Sequence, residues 1–143
     1  MNDKAKDKPV LVIPCSGMGK VHGLISREAT YMATDELAPG RTDTICLALL
    51  VKGDPEAIAA VRDQVCITID GCPKACAEKN VELAGGHPAK ALQVAEAFKL
   101  YRGAKPGTPT ELTDDGWAIA RDVANMAVDE ATRLNAPGGK NNE

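Results

Sequence analysis

The stretch Val65-Cys66-Ile67-Thr68-Ile69-Asp70-Gly71-Cys72-Pro73-Lys74-Ala75-Cys76-Ala77 changes character at its centre, and that change decides the fold. Val65 to Ile69 is dominated by β-branched residues, which pack well on a pleated surface and read as a strand. Asp70 and Gly71 interrupt it. Pro73 then suits the first position of a helix, where a missing N–H costs nothing because that group has no intrahelical partner. Lys74 to Leu83 continues helically until Gly85-Gly86 stops it. The pattern predicts a strand feeding directly into a helix, the unit of a parallel sheet.

The same rhythm extends outward. Val10 to Ile13, bounded by Pro9 and Pro14, reads as a first strand, followed by the loop Cys15-Ser16-Gly17-Met18-Gly19. From about Lys20 to Leu37 the apolar residues Val21, Leu24, Ile25, Ala29, Met32 and Ala33 have helical spacing, ended by Pro39-Gly40. Thr42 to Leu50 is β-branched and apolar and reads as a second strand. Asp54 caps a helix whose first residue is Pro55 and which runs to about Asp63. A fourth strand is expected around Leu92 to Val94. Thr113 or Asp114 then caps a last helix to about Asn135, with Trp117, Ala120, Ala124, Ala127, Val128, Ala131 and Leu134 as its core stripe. The expected architecture is one α/β domain over residues 9–135, with about four mainly parallel strands alternating with helices and covered on both faces. Residues 1–8 and 136–143 are expected to be flexible tails.

Composition removes several function classes. With 143 residues the chain fits one domain that can bury a core without disulfides. The hydrophobic fraction is 44 %, yet only Phe98, Trp117, Tyr31 and Tyr101 are aromatic, so stacking platforms for single-stranded nucleic acid are missing. The formal net charge is −3 with no long basic run, which argues against a phosphate-backbone partner. The apolar run before Cys15 is too short for a signal-peptide segment, and no run is long enough to span a membrane. The expected location is the cytoplasm. There, five cysteines serve better as ligands, redox groups or small hydrophobes than as disulfides.

In a parallel sheet the loops leaving the carboxyl ends of the strands gather at one edge, where ligands bind. Cys15 follows the first strand, Cys46 lies towards the end of the second, and Cys72 leaves the third. Cys76 follows Cys72 at ligand spacing, and on a helix start the two thiols would share a face. Spacing alone leaves two readings open: a shared metal, or separate core cysteines. Cys66, mid-strand between Val65 and Ile67, reads as a buried small hydrophobe. Asp70 reads as a helix cap and Gly71 as the residue of a tight turn.

The stretches Cys15-Ser16-Gly17, Thr44-Ile45-Cys46-Leu47-Ala48 and Ile69-Asp70-Gly71-Cys72-Pro73-Lys74-Ala75-Cys76-Ala77 resemble the DGC-domain family, named for its central Asp-Gly-Cys tripeptide. The similarity runs from about Val10 to Gly86 and more loosely to the end. The family is associated with zinc on its cysteine pattern, and its potential chelators correspond to Cys15, Cys46, Cys72 and Cys76. The resemblance implies a metal site and no particular reaction.

Other motifs carry less. Gly17-x-Gly19-Lys20 lacks the glycine and the hydroxyl residue of a Walker loop, since Pro14 and Val21 stand there. In the dinucleotide fingerprint the third glycine would fall on His22, and Gly23 comes one residue late. His22 reads as a packing histidine, with proton carrier or replacement ligand as alternatives, His87 as a loop residue, and Arg27-Glu28 as a solvated helix face. The favoured function is a non-enzymatic four-thiolate zinc protein in metal trafficking or sensing. An iron–sulfur electron-transfer or redox-sensing protein is the first rival. A thiol–disulfide or sulfur-carrying enzyme using Cys72 and Cys76 is the second.

Overall fold

The structure is a computed structural model and describes residues 8–17 and 19–135; of the tails expected at residues 1–8 and 136–143, all but Lys8 lies outside them. In chain order the elements are β1 (Val10–Pro14), α1 (Val21–Tyr31) continued by a π-helical stretch (Met32–Leu37), β2 (Thr42–Asp43), α2 (Leu47–Lys52) and α3 (Pro55–Asp63). There follow β3 (Cys66–Asp70), α4 (Cys76–Leu83), β4 (Pro88–Gln93), α5 (Val94–Phe98), the short β5 (Gly107–Thr108) and β6 (Glu111–Leu112), and α6 (Asp114–Asn135).

The first four strands form one sheet in the order β2-β1-β3-β4, parallel throughout. The β1–β3 pairing sets Leu11 against Cys66, Val12 against Ile67 and Ile13 against Thr68. Alternation then sorts side chains to two faces. Val10, Val12, Ile67 and Ile69 pack with Ile25 and Ala29 of α1 and with Ile119, Ala120, Val123, Ala124 and Ala127 of α6. Leu11, Ile13 and Cys66 pack on the other face with Leu50 of α2, Ala57 and Val61 of α3, and Ala77 and Val81 of α4. Both faces are covered, as the near-continuous apolar strands require. Among the described residues no helix is long and apolar enough to cross a membrane.

Four expectations need correction. The second strand is two residues long, because its pairing with β1 ends at Leu11 and Asp43. The chain turns at Cys46, and Leu47 to Lys52, good helix formers apart from Val51, coils instead; Gly53 ends that helix at a φ of 88°. Secondly, α4 starts at Cys76 rather than Pro73. Asp70, 1 % exposed at the end of β3, accepts hydrogen bonds from the backbone N–H groups of Ala77 at 2.7 Å and Glu78 at 3.1 Å. The helix begins where that carboxylate can reach it, and Gly71 to Ala75 becomes a turn, with Ala75 left-handed at a φ of 54°. Thirdly, the core face of α6 runs through Ile119 and Val123, leaving Trp117 44 % exposed and Val128 half-buried. The caps fare better: Asp54 accepts from the N–H of Ala57, and Thr113 rather than Asp114 accepts from Gly116. Fourthly, β4 starts earlier than the strand expected around Leu92 to Val94, at Pro88, and Val94 already belongs to α5.

Burial pushes the Asp70 carboxyl up from the ordinary carboxylate range, against the two N–H donors that favour its charged form. Removing that side chain leaves the Ala77 and Glu78 donors without their acceptor. Asp70→Ala is expected to lower unfolding free energy by about 1–3 kcal/mol in urea denaturation followed by circular dichroism. A loss under a few tenths of a kcal/mol would show that the cap is dispensable.

Candidate functional site

The carboxyl ends of β1, β2 and β3 deliver Cys15, Cys46 and Cys72 in turn to one edge of the sheet, and Cys76 is the first residue of α4. Cys15 is the most constrained. Its N–H extends the sheet by bonding the carbonyl of Ile69 at 2.9 Å, and its Sγ accepts the backbone N–H of Gly71 at 3.2 Å. Its Sγ also lies 3.6 Å from Oγ of the fully buried Ser26. The Ser26 hydroxyl donates to the carbonyl of Gly23 at 2.7 Å, so towards Cys15 it can only accept. The backbone N–H of Ser16 reaches the same oxygen at 3.3 Å. Ser26 therefore fixes the loop after β1 from inside α1.

Gly71 does more than permit a turn. A Cβ on it would lie 2.9 Å from the carbonyl carbon of His22 and 3.0 Å from the nitrogen of Gly23. Real side chains do not come so close to backbone, so only glycine lets the β3–α4 turn rest on the start of α1. That contact brings Cys72 to the same loop as Cys15.

Two cavities open at this edge, and Cys15 lines both. The larger, about 540 Å³, is shared with Cys46 and also has Arg27, Thr30 and Tyr31 in its wall. The other, about 370 Å³, is shared with Cys72 and is lined by Lys20, His22 and Lys74 as well. Cys15 and Cys72 are half-buried, whereas Cys46 and Cys76 are exposed; all are free thiols. Cys72 and Cys76 do not share a helix face, since Cys72 stands in the turn that precedes α4. Among the described residues no group of three or more His, Cys, Asp or Glu side chains already stands in a geometry that holds a metal ion. The four thiols are soft donors of the type zinc takes, and the N–H of Gly71 on Cys15 is the kind of second contact that orients a ligating sulfur. The donor set fits zinc in chemistry; its arrangement is open.

Cys66 stands apart. It is fully buried, with Sγ 3.6 Å from the carbonyl of Val61 and 3.5 Å from that of Gln64, a small hydrophobe with a weak donor. His87 is an exposed loop residue. Sequence reasoning missed Ser26 and the part of Arg27 in a cavity wall. Neither carries a motif, and helical spacing alone does not say which neighbour lies across a loop.

His22 packs its ring on Phe98 with centroids 4.5 Å apart and planes at 19°. Burial, and secondarily the charge of Lys20, pushes its pKa below the usual histidine value. The imidazole is thus neutral at pH 7, able to accept a proton or offer a lone pair. In an NMR titration of the His87→Gln variant, the remaining ring is expected to titrate below an ordinary histidine. Phe98→Ala is expected to raise that midpoint more than Lys20→Gln does; the reverse order would contradict burial as the main cause.

The DGC-domain family profile matches residues 11–114, a span that contains all four edge cysteines and the Asp70-Gly71-Cys72 tripeptide itself. Comparison with curated proteins and with solved structures returned no match. With its family profile covering most of its length, this chain belongs to the DGC-domain family.

Proposed function

We propose that the cysteine edge binds zinc through Cys15, Cys46, Cys72 and Cys76, and that the chain handles the metal, in trafficking or sensing, rather than using it to fold. One observation carries this reading: Cys15 stands between two cavities, with Cys46 in the wall of one and Cys72 in the wall of the other. Cys15 is the natural centre of a shared site. Cys76, one turn from Cys72 along the chain, supplies the fourth sulfur.

The handling role follows from the core. Both faces of the sheet are packed by apolar side chains that include none of the exposed thiols. Small zinc modules, by contrast, fold only when metal replaces the core they lack. An open set of thiols that closes around its ion also suits exchange better than permanent retention. A second reading, thiol chemistry at Cys72 and Cys76, draws support from the exposure of Cys76 and from the turn that separates the two residues.

Protein purified without oxygen is expected to hold about one zinc per chain by elemental analysis, without acid-labile sulfide. Cys15→Ser and Cys72→Ser are each expected to lose most of it while keeping the native circular dichroism spectrum. Iron with sulfide would replace zinc by a cluster. No metal, together with rapid alkylation of Cys72 and Cys76, would sink the metal reading in favour of thiol chemistry.

A further inference from the structure

The smaller cavity has an uneven charge. Apart from Cys15 and Cys72, the described residues that line it are Lys20, His22, Lys74 and four glycines, Gly17, Gly19, Gly23 and Gly71. Among the described residues no carboxylate lines it, and neither lysine has an acidic side chain within ion-pairing distance. In a chain whose formal net charge is −3, two uncompensated cations beside two thiols form a local reversal of sign. The charge of Lys20 already reaches His22, where it adds to burial in keeping that ring neutral. The cavity's positive field therefore comes from Lys20 and Lys74 and not from the histidine.

Size and chemistry narrow the ligand. About 370 Å³ admits a small molecule, and four of the described lining residues are glycines, which add no side chain to it. Cationic walls select an anion and raise its local concentration. Thiols select soft partners, among them a metal ion arriving on a thiolate.

We propose that this cavity is an anion-selective port which admits small organic anions bearing a thiolate, the carriers from which Cys15 and Cys72 take up metal. The carrier's carboxylates pair with Lys20 and Lys74 while its sulfur holds zinc as cargo. Transfer is ligand exchange: one zinc–sulfur bond to the carrier breaks as one to a cysteine forms. The proton displaced from the cysteine thiol passes to the departing carrier sulfur, and nothing is oxidised or reduced. The carrier role rests on the metal reading above; the anion preference does not.

The metal-free full-length protein provides the first arm. Its cysteines are alkylated at low salt with iodoacetate, an anion, or with neutral iodoacetamide, and each site is followed by mass spectrometry. The iodoacetate-to-iodoacetamide rate ratio is expected to be about three- to tenfold higher at Cys15 and Cys72 than at the exposed Cys46 and Cys76. High salt and the double variant Lys20→Gln/Lys74→Gln, whose substitutions lie on exposed side chains, are expected to erase that difference. One ratio at all four cysteines, or a difference that survives removal of both lysines, would overturn the port.

In the second arm zinc is supplied bound to mercaptosuccinate, a dianionic thiol, or to cysteamine, a cationic one. Transfer from the anionic carrier is expected to be several-fold faster in the native chain and equal in the double variant. Equal rates in the native chain would overturn the carrier role. An alkylation difference in protein that takes up no zinc at all would overturn the metal reading alone, and zinc uptake without that difference would overturn the port alone.

Discussion

A single buried carboxylate holds the functional edge in place. Asp70 ends the central strand β3, is almost wholly shielded from water, and grips the first turn of α4 through the N–H groups of Ala77 and Glu78. Burying a carboxyl group is costly, and here two backbone donors that every helix start leaves unpaired offset the cost. Because the grip is made seven and eight residues downstream, the chain between must fold back as a compact turn. Cys72 lies within that turn and Cys76 at its exit. The Asp-Gly-Cys tripeptide is thus a structural device first, and its cysteine is placed by its aspartate.

The glycine in the tripeptide acts on the opposite side. Its missing side chain lets the turn lie against the backbone of His22 and Gly23, and its N–H points at the Cys15 sulfur. Three consecutive residues therefore perform three distinct tasks: anchoring the following helix, docking on the preceding one, and presenting a thiol. Substituting Asp70 or Gly71 would displace the thiol through the backbone they share with it.

Much of this was legible in the residues. β1 and β3 stood out as β-branched runs between breakers, and Asp54-Pro55 marked a helix start that the fold uses as written. Strand-then-helix alternation implied the parallel sheet. What misled was composition without context: Thr42 to Leu50 has the residues of a strand, but its pairing with β1 stops at Leu11 and Asp43 although β1 itself continues to Pro14. Pro73 likewise fits a helix start in isolation, and only the reach of Asp70 moves that start to Cys76. The alanines of the α6 stripe, Ala120, Ala124, Ala127 and Ala131, are core residues as read, but Ile119 and Val123 were left out of it and Trp117 drew the face towards a position that tertiary packing leaves in water. For the site, the residues marked four thiols, but not that Cys15, Cys46 and Cys72 line two cavities while Cys76 lines neither of these.

The burial of Cys66 gives the protein an internal clock. Four of its five cysteines border the edge, and the fifth is sealed beneath α3 with no measurable exposure. A thiol reagent applied to the native chain meets the edge first, whereas the fifth sulfur answers only when the sheet itself comes apart. Its rate of modification reports the opening of the whole domain, independently of anything bound at the rim.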